Sequence, residues 1–71
     1  MLVATWNVNS IRSRIDHVKD WLIANEVDIL CLQETKTEDQ FFPVEVFSSL
    51  GYEVSISGQK SYNGVAIISR F

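Results

Sequence analysis

The chain has one cysteine, one proline, one histidine and three glycines in 71 residues. With Cys31 alone no internal disulfide can form, and the residue reads as a small buried hydrophobe on a strand, at ease in a reducing compartment. The scarcity of glycine and proline, beside 46% hydrophobic and 21% charged residues, excludes a disordered composition. No apolar run approaches the roughly 20 residues of a membrane helix, and no basic-then-apolar leader opens the chain. It therefore reads as a soluble, intracellular and cytoplasmic protein with no membrane partner. Basic residues are also few: six Lys and Arg face nine Asp and Glu, a net charge of −3 that gives no global field for nucleic acid. Arg12, Arg14, Lys36, Lys60 and Arg70 nevertheless fall near element ends, which leaves room for a local basic surface. A chain this short makes one small domain at most and buries only roughly 60% of its unfolded surface.

What is present is periodic. Residues 2–8, "LVATWNV", form a β-rich apolar run without helical period, as expected of a strand buried on both faces. Asn9 or Ser10 can then cap a helix, and local chemistry favours Asn9 for that role. Ile11, Ile15, Val18 and Leu22 recur at helical spacing, which predicts an amphipathic helix over 10–24 closed by Asn25. Residues 27–33, "VDILCLQ", repeat the first pattern, so the chain opens with a right-handed βαβ unit and parallel strands. Parallel strands bring both carboxyl ends to one sheet edge, where open α/β folds bind ligands, and Asn7 and Glu34 would stand there side by side. A short helix follows in "VEVFSSLG", stopped by Gly51, and residues 52–70 read as a hairpin with a long loop. Phe71 follows the last strand with no cap or charged device, so that strand is expected as an unpaired apolar edge and the chain as the first part of a larger domain.

The polar residues at this edge carry the chemistry. A carboxylate ending a buried strand, as Glu34 does in "ILCLQETK", serves as a ligand for a hard cation such as Mg²⁺ or as a solvated cap for loop N–H groups; spacing alone weighs the two evenly. Asn7 can bind a phosphate oxygen, orient a carboxylate, or simply turn the chain. Lys36 can neutralise phosphate or be a solvated loop lysine. Tyr62 can stack on a nucleic acid or anchor its own loop, and Asn63-Gly64 is turn chemistry on its face. His17 lies beside Asp16 on a helix, where neighbours do not face each other, and reads as a surface residue. The tryptophans and the Phe41-Phe42 pair read as core or loop anchors. No Ser-His-Asp set, phosphate-binding glycine loop or Cys/His zinc site is present.

Three segments, "ATWNVNSIRSR", "DILCLQETK" and "GYEVSISGQKSYNGVAIISR", closely resemble the N-terminal portion of exonuclease III-type apurinic/apyrimidinic endonucleases, in the endonuclease/exonuclease/phosphatase superfamily. The resemblance implies that residues 1–71 are an incomplete N-terminal part of one α/β domain, a deoxyribonuclease I-like four-layer sandwich. It implies Glu34 and Asn7 as catalytic and metal-site residues, with Mg²⁺ as cofactor and Mn²⁺ as its substitute. It makes Arg12, Lys36, Tyr62, Asn63 and Gly64 DNA-binding residues, and gives Asn9 a place where some relatives carry an Asp. The implied activity is metal-assisted phosphodiester hydrolysis in base excision repair, on duplex DNA with abasic sites or 3′ ends. A later Tyr, an Asp-x-Asn segment and a terminal Asp-His pair would lie beyond residue 71, so the chain alone is expected to be inactive. The competing expectations are a related phosphodiesterase with a non-DNA substrate and a truncated, non-catalytic product.

Overall fold

The computed structural model describes all residues from Met1 to Phe71. The elements in chain order are β1 (Val3–Asn7), α1 (Ile11–Asn25), β2 (Ile29–Gln33), a 3₁₀ turn (Asp39–Phe41), α2 (Val44–Ser48), β3 (Glu53–Ser57) and β4 (Val65–Ser69). The strands form one mixed sheet in the order β1-β2-β4-β3. β1 and β2 are parallel, with Asn7 opposite Gln33, as the strand-helix-strand opening requires. β4 runs antiparallel to both β2 and β3, so the expected hairpin is present. No helix is long and apolar enough to cross a membrane.

The helices cover one face of the sheet. Ile11, Val18 and Leu22 of α1 are buried with Leu30 and Leu32 of β2, Ala66 and Ile68 of β4, and Phe47 of α2, while Ile15 is half-buried at the margin. Tyr52 closes the far end of this core, its hydroxyl donating to the Val27 carbonyl at 2.6 Å. The other sheet face is open: Val3, Val65 and Ile67 are each about half exposed, at 56%, 53% and 49%.

Four expectations need correction. β1 is not buried on both faces; it is an edge strand with one neighbour, and its outward residues Val3, Thr5 and Asn7 are exposed. The helix closes one residue later than Asn25, at Glu26, whose φ of 49° places it in the left-handed region while its N–H donates to the Leu22 carbonyl. The N-cap is Ser10, not Asn9, because the Ser10 hydroxyl accepts from the Ser13 N–H at 3.3 Å. The last strand is not an unpaired edge: β4 lies between β2 and β3 with both rows of backbone groups paired. The aromatic residues divide as well. Phe42 is buried, whereas Phe41 is 53% exposed beneath the Arg12 guanidinium.

Candidate active site

Asn7 and Glu34 meet at the carboxyl edge of the parallel pair. Register places Asn7 beside Gln33, so the next residue of the β2 chain, Glu34, falls within reach of the Asn7 side chain. Asn7 Nδ2 donates to Glu34 Oε2, and Asn7 Oδ1 accepts from the Asn9 N–H at 3.2 Å. With both ends of its amide engaged, Asn7 holds the carboxylate in orientation; the amide oxygen faces Asn9 instead of open solvent.

The backbone beneath this pair is unusually constrained. Val8, Ser10 and Ile11 donate their N–H groups to the carbonyls of Gln33, Glu34 and Thr35, at 3.0, 2.9 and 3.0 Å. From the other side, Thr35 and Lys36 donate to the carbonyls of Gly64 and Asn63 at 3.2 and 2.8 Å. The turn carrying Glu34 is thus tied to the start of α1 and to the β3–β4 loop together. Such bonds hold a conformation that L-residues resist. Of seven non-glycine residues with positive φ, six lie here: Asn9, Ser10, Glu34, Lys36, Ser61 and Asn63. Asparagine tolerates this region, but for Ser10, Glu34, Lys36 and Ser61 the cost is about 1–3 kcal/mol each, and strain of this kind persists where surrounding contacts over-determine it.

Charge is arranged around the carboxylate. Lys36 Nζ donates to Asn9 Oδ1 at 2.5 Å and stands 3.7 Å from Glu34 Oε1, with both side chains partly exposed. Asn9 therefore orients a lysine where the sequence had favoured a helix cap for it. Arg12, Lys36 and Lys60 line a cavity of about 200 Å³ with Phe41, Glu38, Thr37 and Ser61. A chain of net charge −3 thus concentrates half of its six Lys and Arg in one hollow. Tyr62 is 70% exposed on the adjoining loop, so it does not anchor that loop.

Gly64, expected only as a turn residue or DNA contact, has a steric task. Its φ is +92°, and a Cβ there would lie 2.2 Å from Thr35 Oγ1. Sequence reasoning passed over Thr35, Lys60 and Gly58 as site-building residues. Thr35 is a buried threonine inside a polar loop, a placement no local pattern announces. Lys60 was visible only as one basic residue near an element end.

The donor set suits a hard cation sparingly liganded by protein. Glu34 offers a half-exposed carboxylate in a polar rim, and Mg²⁺ characteristically takes one or two carboxylates with water or phosphate filling its remaining positions. No group of three or more His, Cys, Asp and Glu side chains converges anywhere in these residues.

Comparison with known proteins agrees with this geometry. Residues 4–71 match the model of the Endonuclease/Exonuclease/phosphatase family. Exodeoxyribonuclease III of Haemophilus influenzae is 34% identical over 70 residues, covering 99% of this chain and 26% of that protein. An AP endonuclease from Archaeoglobus fulgidus superposes with a TM-score of 0.95 at 56% identity, over 99% of this chain and 28% of that one. A 3′ phosphatase from Neisseria, solved bound to product DNA hairpin, gives a TM-score of 0.95 at 47% identity, over 99% of this chain and 27% of its own. The chain spans about a quarter of the length of the relatives it matches. A parallel strand pair that brings Asn7 against Glu34, on a sheet that superposes closely on nuclease structures, accords with the family match, and the chain belongs to the Endonuclease/Exonuclease/phosphatase family.

Proposed function

We propose that these residues are the N-terminal part of a divalent-cation-dependent nuclease that hydrolyses DNA phosphodiesters at abasic sites and 3′ ends. The observation that carries this reading is the Asn7–Glu34 pair beside the cavity lined by Arg12, Lys36 and Lys60. Glu34 would hold Mg²⁺ or Mn²⁺, and Asn7 would keep its carboxylate turned to the open edge. The bound cation would supply Lewis-acid polarisation of the phosphate and stabilisation of the leaving oxygen. Arg12, Lys36 and Lys60 supply positive charge for backbone phosphates, an attraction sensitive to salt. Tyr62 offers an exposed ring against sugar or base, and Asn63 and Gly64 set the loop that presents it. The general base and further cation ligands belong to the portion of the relatives' length that this chain does not span. Because the chain spans about a quarter of its relatives' length, the 71 residues alone are expected to be inactive, for want of a general base and of a full set of phosphate-positioning groups.

The test compares the 71-residue chain, a full-length enzyme carrying it, and that enzyme with Glu34→Gln, on duplex DNA with one abasic analogue and Mg²⁺. Cleavage by the full-length enzyme alone is expected, with Glu34→Gln folded and slowed by about 100-fold or more, the scale of losing one electrostatic group at a reacting centre. Near-normal turnover by Glu34→Gln removes it from the mechanism. Failure of the full-length enzyme on DNA, with turnover of another phosphodiester, assigns a different substrate.

A further inference from the structure

The loop from Gly58 to Gly64 joins β3 to β4 and carries Lys60 into the basic cavity and Tyr62 to the surface beside it. Its rear end is pinned by the backbone bonds from Thr35 and Lys36 to Gly64 and Asn63. The front end depends on a different contact. The Gly58 N–H donates to Asp39 Oδ1 at 2.7 Å, and Asp39 opens the 3₁₀ turn whose last residue, Phe41, lines the cavity. The approach is close enough that a Cβ on Gly58 would lie 2.1 Å from the Thr37 carbonyl oxygen and 3.0 Å from Asp39 Oδ1. Asp39 is a carboxylate next to a site read as binding phosphate, where its charge is unfavourable.

We infer that Asp39 is a positioning residue that holds the front of the 58–64 loop against the 37–39 turn, so that Lys60 faces the cavity shared with Arg12 and Lys36. The inference rests on the nuclease reading and adds a residue that touches neither phosphate nor cation. Between the pinned ends no hydrogen bond engages residues 59–62, so the direction of Lys60 is inherited from the ends of its loop. Losing the Asp39 contact frees one of them.

Charge and position make opposite predictions. If the carboxylate acts only by its charge, Asp39→Ala and Asp39→Asn both bind DNA more tightly, since each removes a negative group near phosphate. If it acts by accepting from Gly58, Asp39→Asn keeps an oxygen acceptor and only Asp39→Ala loses the contact. The experiment uses the full-length enzyme, with tryptic cleavage after Lys60 measured first and steady-state kinetics on the abasic duplex second. Asp39→Ala is expected to be nicked at Lys60 about five-fold faster, and to raise KM about five-fold with kcat held within two-fold, the scale of one lost hydrogen bond. Asp39→Asn should match the wild type in nicking and show no rise in KM. Adding Lys60→Ala to Asp39→Ala should raise KM little beyond Lys60→Ala alone, because one change acts through the other. Wild-type nicking and KM in Asp39→Ala, with Lys60→Ala impaired, overturn the inference and leave the nuclease reading intact. Absence of DNA cleavage by the wild type defeats that reading and this inference with it, while the nicking rates still report the Asp39–Gly58 contact separately.

Discussion

Gly64 and Thr35 occupy one space: the Cβ that Gly64 lacks would stand 2.2 Å from Thr35 Oγ1, on a backbone whose φ is +92°. The threonine lies immediately after Glu34, and its N–H donates to the Gly64 carbonyl at 3.2 Å. Gly64→Ala is therefore expected to destabilise the fold by about 2–4 kcal/mol, combining an overpacked contact with a left-handed alanine. Thr35→Ala added to Gly64→Ala should recover the steric part, so that the two changes cost less together than their sum. Urea denaturation of the four proteins in the cycle checks this; strict additivity would mean that the backbone moves aside without resistance.

How much of this was legible in the sequence follows from which interactions are local. Ile11, Val18 and Leu22 announced the buried helix face because helical spacing repeats within the segment itself. The meeting of Asn7 and Glu34 was legible because a right-handed parallel crossover leaves both strand ends on one edge. The place of β4 between β2 and β3 was not, since strand order is chosen by distant pairings. The positive φ values of Ser10, Glu34 and Lys36 were also invisible: these residue types do not favour that region, and only bonds from three separate segments hold them there. Lys60 reaches the basic cavity, and Asp39 reaches the loop that carries it, through equally distant contacts.

Ser10 combines a cap with strain, and two substitutions separate them. Its hydroxyl accepts from the Ser13 N–H, yet its φ is 86°. Ser10→Ala loses the cap and keeps the strain, a cost of about 1 kcal/mol. Ser10→Gly loses the same cap but adopts positive φ freely, so its stability should fall within about 0.5 kcal/mol of the wild type. Equal losses in thermal unfolding for both variants would show that the backbone at Ser10 carries no penalty.

Tyr52 tests whether the far end of the core is independent of the site. Its hydroxyl is bonded to the Val27 carbonyl at 2.6 Å, and the residue is 4% exposed beneath the Arg70 guanidinium. Tyr52→Phe leaves that carbonyl without its partner and is expected to cost about 1–3 kcal/mol in stability. Because Tyr52 precedes the β3 end opposite Glu34, kcat and KM of the full-length enzyme should not change at a temperature where the variant remains folded. A changed kcat at full folding would instead couple the two ends of the sheet.

Lys60 and Tyr62 share a loop but should differ in how salt affects their contributions. Lys60 lines the basic cavity with Arg12 and Lys36, so its partner on DNA is expected to be a phosphate, whose binding releases condensed counterions. Lys60→Gln should lower the slope of log affinity against log salt by about 0.9 for duplex DNA. Tyr62 is uncharged and 70% exposed, and stacking releases no counterion. Tyr62→Ala should weaken binding by about 1–3 kcal/mol at every salt concentration and leave the slope unchanged. Fluorescence anisotropy of a labelled abasic duplex, titrated with full-length enzyme at several salt concentrations without cleavage-supporting cation, measures both quantities together. A slope that falls for Tyr62→Ala and stays fixed for Lys60→Gln would exchange their roles, assigning the phosphate contact to the tyrosine side of the loop and turning Lys60 toward solvent.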